Sequence, residues 1–344
     1  MIFSQDIGID LGTTNTAVCV KSKGIVLREP SVVAMDIKNT PPKVVAVDIK
    51  NTPPKVVAVG EEAKLMVGRT PGSITAVRPV KESIIADFNT TAAMIREFLR
   101  MATSNASFGR SRVLIGIPAN ITEVERKAVH DAAKAAGARY VSLIDASMAA
   151  AIGAGLRVSD AAGSMIVDIG GGASEVAVIS LGDIVASRAI KTAGDAFDEA
   201  IVQYVKRSFN LLIGERTAEE IKLTVGSALP YEGEAAMSIK GRSLTDGLPH
   251  EVEITSANVR EALAEPVNRI IEMIRGTLEK TPPELAGDIM DSGITLTGGG
   301  VMLRGLDRLI ATSTGIPVRI AAKPLDCVIT GIAICLQKNT LNLR

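Results

Sequence analysis

Apolar and polar positions alternate along this chain in short blocks whose period changes from two to about 3.6. Strand-like runs, rich in β-branched residues, fall at Ile7 to Leu11, Thr16 to Val20, Val113 to Ile117, Met165 to Asp168, Glu175 to Ser180 and Ile294 to Thr297. Helical spacing holds for Phe197, Ile201, Val205 and Phe209, and again for Val267, Ile270, Ile271, Ile274 and Leu278. Thr122 and Glu125 have the spacing of a capping box, which predicts a helix opening there and stopping near Gly137. Pro266 marks the start of the helix over Val267 to Leu278, and Thr281-Pro282-Pro283 its end. Strands alternating with helices predict an α/β architecture.

Two of these strands end alike. Ile9-Asp10-Leu11-Gly12-Thr13-Thr14-Asn15-Thr16 recurs in outline as Val167-Asp168-Ile169-Gly170-Gly171-Gly172-Ala173-Ser174. In each, an apolar strand ends near an Asp, Gly and small residues turn the chain, and a second strand leaves. Such a turn can aim several backbone N–H groups at one anion, because Gly tolerates unusual backbone angles and small side chains let a phosphate come close. Two facing turns can grip a polyphosphate, with Asp10 and Asp168 placed for its Mg²⁺, usually through water. A third element, Ile294 to Thr297 running into Gly298, Gly299 and Gly300, leads to a helical pattern at Leu303 and Leu306 to Ile310. Strand, glycines and helix in that order suit a nucleotide's base or phosphates.

Two related halves are expected. The first spans 1–155, with a core of 1–34 and 86–155 and a small outer subdomain of about 35–85. The second spans 156–344, with a core of 156–195 and 262–344 and an outer subdomain of about 196–261. The ligand is expected in the cleft between them.

The glycine motifs resemble the phosphate and adenosine motifs of the superfamily of actin, sugar-kinase and heat-shock-chaperone ATPases. Over essentially its whole length the chain is further similar to the MreB family of bacterial actins. The similarity is carried by Glu29-Pro30-Ser31-Val32-Val33-Ala34, Val59-Gly60-Glu61-Glu62-Ala63, Ile85-Ala86-Asp87-Phe88, Met148 to Gly153, Ala193-Gly194-Asp195, Gly214 to Glu219 and Leu278 to Leu285. The resemblance implies an actin-like ATPase fold whose halves each have a ribonuclease-H-like core. It implies that Gly12, Thr13, Thr14, Asn15, Gly170, Gly171 and Gly172 hold the phosphates of ATP, with Asp10 and Asp168 near Mg²⁺. Glu219 and Lys222, three apart on one helix face, match the pair that touches adenosine in relatives, and Gly298 to Gly300 complete that pocket. A capping box starting at Thr217 and a solvent-facing Glu–Lys pair are the alternative for this helix. Asp195 either faces the phosphates or caps the helix beginning near Phe197.

Two departures from the family pattern bear on turnover. Where the family carries the Glu that positions the attacking water, this chain has Ala146; where it has a Thr after the three glycines, this chain has Ala173. Loss of such a group usually costs about 10²–10⁴-fold in rate. Binding is expected to persist while hydrolysis is weakened, with Asp145 or Ser174 as partial substitutes.

Composition narrows the remaining choices. With 38 acidic and 38 basic residues the formal charge is zero, which excludes nucleic acid held by bulk electrostatics. Cys19, Cys327 and Cys335 are isolated in apolar surroundings and have no metal-ligand spacing. No apolar run reaches the length of a spanning helix and no signal peptide is legible, so a cytoplasmic protein is expected, peripheral to the inner face of the membrane if attached at all. The membrane candidates are Met1, Ile2 and Phe3 at the N-terminus and Phe108 in the loop Thr103 to Arg112. Each buried apolar side chain contributes about 1.5–3 kcal/mol, so contact is expected for a polymer rather than a monomer.

Asp36 to Val47 is repeated without change as Asp48 to Val59. Only one copy is needed for a strand, and the second is expected to occupy it because Val59 runs directly into Gly60-Glu61-Glu62. By resemblance the function is that of an ATP-binding filament, with subunits head to tail in paired protofilaments, partnered by the cell-wall synthesis machinery. The competing readings are a specialised relative with slow or absent hydrolysis and a duty other than cell shape, and a kinase or chaperone ATPase of the same superfamily.

Overall fold

Two five-stranded sheets are built on one plan. In the first, Asp6–Leu11 pairs antiparallel with Asn15–Val20, which pairs antiparallel with Gly24–Pro30. On its other side Asp6–Leu11 runs parallel to Arg112–Ile117, and that strand parallel to Tyr140–Asp145. In the second, Ser164–Ile169 takes the central place, with Ser174–Ser180 and Asp183–Ile190 on the antiparallel side and Ile294–Thr297 and Val318–Ile320 on the parallel side. Tight turns can join antiparallel neighbours, whereas the parallel strands need crossovers, and helices supply them. The computed structural model describes residues 5–36, 55–103 and 111–338.

The chain divides into two compact units, Met1–Gly153 with Val328–Arg344, and Ala154–Cys327. In the first, Ile7, Ile9, Val18, Val113, Ile115 and Ile117 of the sheet are buried with Met94, Ile95, Phe98 and Leu99 of the helix Phe88–Ala102. In the second, Val167, Val176, Val178 and Leu296 of the sheet share a core with Phe197, Ile201 and Val205 of the helix Gly194–Phe209 and with Ile270 and Ile274 of the helix Ser256–Leu278. Removing these aliphatic faces from water is the main favourable term, about 1.5–3 kcal/mol for each fully buried large side chain. A small three-stranded sheet is inserted in each unit. In the first its order is Val56–Val59, Val33–Asp36, Ile74–Val77; in the second it is Leu211–Leu212, Ala236–Ser243, Pro249–Thr255.

The six predicted strands are present, as is the Thr122–Glu125 capping box, which opens the helix Glu123–Ala135. Three expectations change. Pro266 lies inside the helix Ser256–Leu278, which starts at a second capping box made by Thr255 and Asn258. Proline forfeits one helical hydrogen bond, but Val259, Leu263, Val267, Ile270 and Ile274 are all buried along the helix and carry it through. The C-terminal helix Cys327–Lys338, expected in the second half, belongs from Val328 onward to the first unit. There Gly331 meets the backbone of Ala149, where any Cβ would overlap the carbonyl oxygen, and Ile332 packs over Gly8 and Gly116. Finally, the Gly-rich turn after Thr297 enters a short 3₁₀ turn, Gly299–Met302, before the helix Leu306–Thr314.

Of the duplicated segment, Val56–Val59 of the second copy forms the strand against Val33–Asp36; residues 37–54 lie outside the described part.

Candidate functional site

Sheet register places Asp10 and Asp168 at equivalent points. Each is the penultimate residue of its central strand, Asp10 across from Ala17 and Gly116, Asp168 across from Glu175 and Thr297. One further strand residue, Leu11 or Ile169, leads from each into the predicted glycine turn.

The turn of the first unit is braced from outside. A Cβ on Gly12 would overlap the Asn15 carbonyl oxygen, so the turn is as tight as the sequence suggests. The Ser31 hydroxyl donates to the Gly12 carbonyl at 2.6 Å and its N–H to the Thr14 carbonyl at 2.9 Å. The buried Thr13 accepts a hydrogen bond on its hydroxyl from the Ser83 N–H at 2.9 Å. Glu82 and Ser83 both have positive φ, so the tip of that turn is held in a conformation that few side chains adopt freely. The Thr14 hydroxyl oxygen is buried with no hydrogen-bond partner among the described residues, and Asn15 is exposed. A buried hydroxyl without a partner is costly, and a polar ligand at this turn would satisfy it.

In the second unit the turn is held by the helix that follows. The Gly170 N–H donates to the Ala173 carbonyl at 3.0 Å and closes the turn. Gly194 and Asp195, the first residues of the helix Gly194–Phe209, donate their N–H groups to the carbonyls of Gly170 (3.2 Å) and Gly171 (2.7 Å). In a trans peptide the carbonyl and the next N–H point opposite ways. Pinning those two carbonyls therefore directs the N–H groups of Gly171 and Gly172 away from the helix, the arrangement an anion requires. The N-cap is Ala193, so Asp195 sits in the first helical turn and is not the cap.

Asp168 lies beneath this turn. Burial pushes its carboxyl up from the usual range to about 6. Gly298, at φ 88°, and Gly300 press on the same strand end. A Cβ on Gly298 would overlap the Ile169 carbonyl and the Asp168 carboxylate, and one on Gly300 the Ile169 side chain. Gly299 is less crowded, with Leu325 as its nearest neighbour. The Thr297 hydroxyl and the Gly298 N–H both donate to the Pro324 carbonyl, at 2.8 and 2.9 Å. The third glycine motif thus fits against the strand end that leads into the second glycine turn.

Glu219 and Lys222 lie on the helix Glu215–Val225, whose N-cap is Gly214; Thr217 is inside it, so the capping box at Thr217 does not form. Nor is Lys222 a solvent-facing partner of Glu219. Its ammonium donates to the Asp198 carboxylate at 2.8 Å and to the Gly194 carbonyl at 3.1 Å, with little of either side chain exposed.

Of the two departures, Ala146 opens the helix Ala146–Gly153 straight after Asp145, and Ala173 closes the second turn through its carbonyl. Ser174, a candidate substitute for the missing Thr, is fully buried and donates its hydroxyl to the Thr192 carbonyl at 2.6 Å. Sequence reasoning missed Ser31, Ser83, Thr192 and Asp198, each of which reaches the site from a distant part of the chain. The membrane candidates Met1, Ile2, Phe3 and Phe108 lie outside the described residues. Among the described residues no helix is long and apolar enough to cross a membrane.

Comparison with known proteins identifies the family and the fold. A family model described as MreB/Mbl protein matches residues 4–343. The cell shape-determining protein Mbl of Bacillus subtilis (strain 168) is 49% identical over 336 residues, covering 98% of this chain and 97% of the relative. The cell shape-determining protein MreB of Escherichia coli (strain K12) is 50% identical over 333 residues, covering 96% and 92%. Among solved structures, MreB 5 of Spiroplasma citri bound to AMPPNP superimposes with a TM-score of 0.89 at 38% identity, covering 98% of both chains. The same protein bound to ADP also gives 0.89, at 37% identity, covering 99% of this chain and all of that one. With two matching sheets, a carboxylate and glycine turn on each, and near-complete coverage by these relatives, the chain belongs to the MreB/Mbl family and has the actin-like ATPase fold.

Proposed function

We propose that the chain is an ATP-binding cytoskeletal protein that polymerises head to tail into filaments and serves cell shape. The observation that carries this is the pairing of each glycine turn with a carboxylate at the same register of its sheet. The nucleotide-bound Spiroplasma citri structures and the cell shape-determining relatives support it. ATP fits the residues present: the buried Thr14 hydroxyl lacks a partner among the described residues, and the Gly171 and Gly172 N–H groups are turned out from the helix that braces their loop. Gly12, Thr13, Thr14, Asn15 and Gly170 to Gly172 would hold the phosphates. Asp195, whose N–H is on the Gly171 carbonyl, would face the phosphates, and Glu219, Lys222 and Gly298 to Gly300 would lie toward the adenosine end. Asp10 and Asp168 would take the bound Mg²⁺ through water, and the ion would offset phosphate charge.

Hydrolysis is proposed to be slow. Water must be oriented for attack on the terminal phosphate, and both family positions for this, Ala146 and Ala173, carry only methyl groups. Membrane contact through Met1, Ile2, Phe3 and Phe108, and service to the cell-wall synthesis machinery, belong to the same proposal. The test is electron microscopy and pelleting of the purified protein with ATP, ADP and a non-hydrolysable analogue, beside direct titration with ATP and Mg²⁺. Filaments that require nucleotide support the reading; saturable phosphorylation of a small molecule without polymer would replace it with the kinase reading.

A further inference from the structure

Lys222 stands where two helices and one turn meet. It lies near the end of Glu215–Val225, its ammonium lies 2.8 Å from Asp198 on the helix Gly194–Phe209, and it bonds the Gly194 carbonyl at 3.1 Å. The same Gly194 donates its N–H to Gly170, and its neighbour Asp195 donates to Gly171. An unbroken line of bonds therefore runs from Asp198 through Lys222 and Gly194 to the second phosphate turn. Resting on the nucleotide-binding reading above, we infer that Asp198 is a positioning residue for the nucleotide: it holds Lys222, and through Lys222 and Gly194 it holds the Gly170–Gly172 turn in its phosphate-accepting shape.

The energetics favour a functional reason for this pair. Two largely covered charges gain little net stability over an apolar pair of similar volume, whereas breaking one leaves an uncompensated charge. Packing alone would be served as well by Leu and Met at these positions. An ammonium has three N–H groups, so Lys222 can serve the Asp198 carboxylate and the Gly194 carbonyl at once. The carboxyl of Asp198 is pushed up to about 6 by burial, with Glu219 and Asp195 raising it further and Lys222 opposing. Protonation of Asp198 loosens Lys222 and hence the turn.

The test measures dissociation constants for ATP, ADP and AMP, with thermal unfolding of the nucleotide-free protein alongside, in wild type, Asp198→Asn, Lys222→Met and the double variant. The expected result is about tenfold weaker ATP and ADP binding in each single variant, a smaller loss for AMP, and a double variant no weaker than the weaker single. Between pH 7.5 and 5.5 the wild type should lose affinity more steeply than Asp198→Asn. Wild-type ADP affinity in a folded Asp198→Asn, or strictly additive losses in the double variant, overturns the inference. If Asp198→Asn fails to fold, Asp198→Glu decides: it keeps the charge and should retain affinity better than Lys222→Met. A wild type that binds no nucleotide instead removes the function proposed above, and this inference with it.

Discussion

The Ser174 hydroxyl is bound to the Thr192 carbonyl at 2.6 Å and fully buried. It therefore cannot take over the water-holding role proposed for a Thr at position 173, although it is one residue away in sequence. Phosphate release is expected to lie about 10²-fold or more below that of a relative with Glu and Thr at these places. Ala146→Glu with Ala173→Thr should raise it. Ser174→Ala should leave it unchanged while costing about 1 kcal/mol of stability for the lost hydrogen bond. A phosphate-release assay on the three proteins decides, and a fast wild type would show that the water site lies elsewhere.

Neighbouring glycines of the third motif should respond unequally. Gly298 has φ 88° and faces the Asp168 carboxylate and the Ile169 carbonyl, so Gly298→Ala combines backbone strain with overlap. A loss of about 1–3 kcal/mol is expected, together with weakened ATP binding because Asp168 is displaced. Gly299→Ala meets only the Leu325 side chain, which can yield, and should be near neutral. Denaturant unfolding and nucleotide titration of the two variants check this. Equal effects would mean that the packing on Ile169 does not determine the motif.

The pH dependence of Asp168 gives a stability signature. Its carboxyl is raised from 3.8 unfolded to about 6 folded by burial, so the folded state disfavours the ionised form. The stability associated with this group is complete below about pH 4 and is lost as pH rises through 6. Asp168→Asn should stabilise the nucleotide-free protein at pH 7.5 by an amount on the order of 2–3 kcal/mol, and much less at pH 4. It should also abolish Mg²⁺-dependent ATP affinity. Melting temperatures of both proteins at the two pH values are the measurement; a variant less stable than wild type at pH 7.5 would contradict it.

How far the sequence could be read depended on how local each cause was. The turns around Gly12 and Gly170, the strands and the Thr122–Glu125 box are decided by neighbours in sequence, and they were legible. The start of Ser256–Leu278 was not: Asn258 replaces the usual Glu or Gln of a capping box, and Pro266 gave a false boundary. The place of the C-terminal helix depends on Gly331 meeting Ala149, a contact between segments far apart in sequence. The same holds within the site. Lys222 was legible as a candidate, but its partner Asp198 is on another helix, and no local pattern pairs them.

The duplication poses a choice between identical strands, and Gly60 explains its outcome. Val33 pairs with Val59, Ala34 with Ala58 and Met35 with Val56, and the buried Ala58 joins Val32, Ala34 and Ala63 in a small core. The residue after this strand is Gly60, at φ 68° and ψ −137°, with its N–H on the Val32 carbonyl. With the first copy in the strand, Asp48 would take that place, in a region of backbone space open essentially to Gly alone. Its Cβ would also overlap the Glu29 carboxylate, which accepts the Glu61 N–H at 2.9 Å. The second copy therefore fits where the first does not. Deleting residues 36–47 puts Asp48 directly after Met35 and restores the sequence of the pairing strand. It shortens the connection to Lys55 about threefold, which relieves about 1 kcal/mol of loop-closure cost. The deletion protein should melt at the same temperature as wild type or slightly higher and bind ATP with unchanged affinity. Ala58→Asp in the full chain should be strongly destabilising, because the first copy cannot replace the strand. A deletion that unfolds the protein, or an Ala58→Asp variant as stable as wild type, would show that the first copy holds the position.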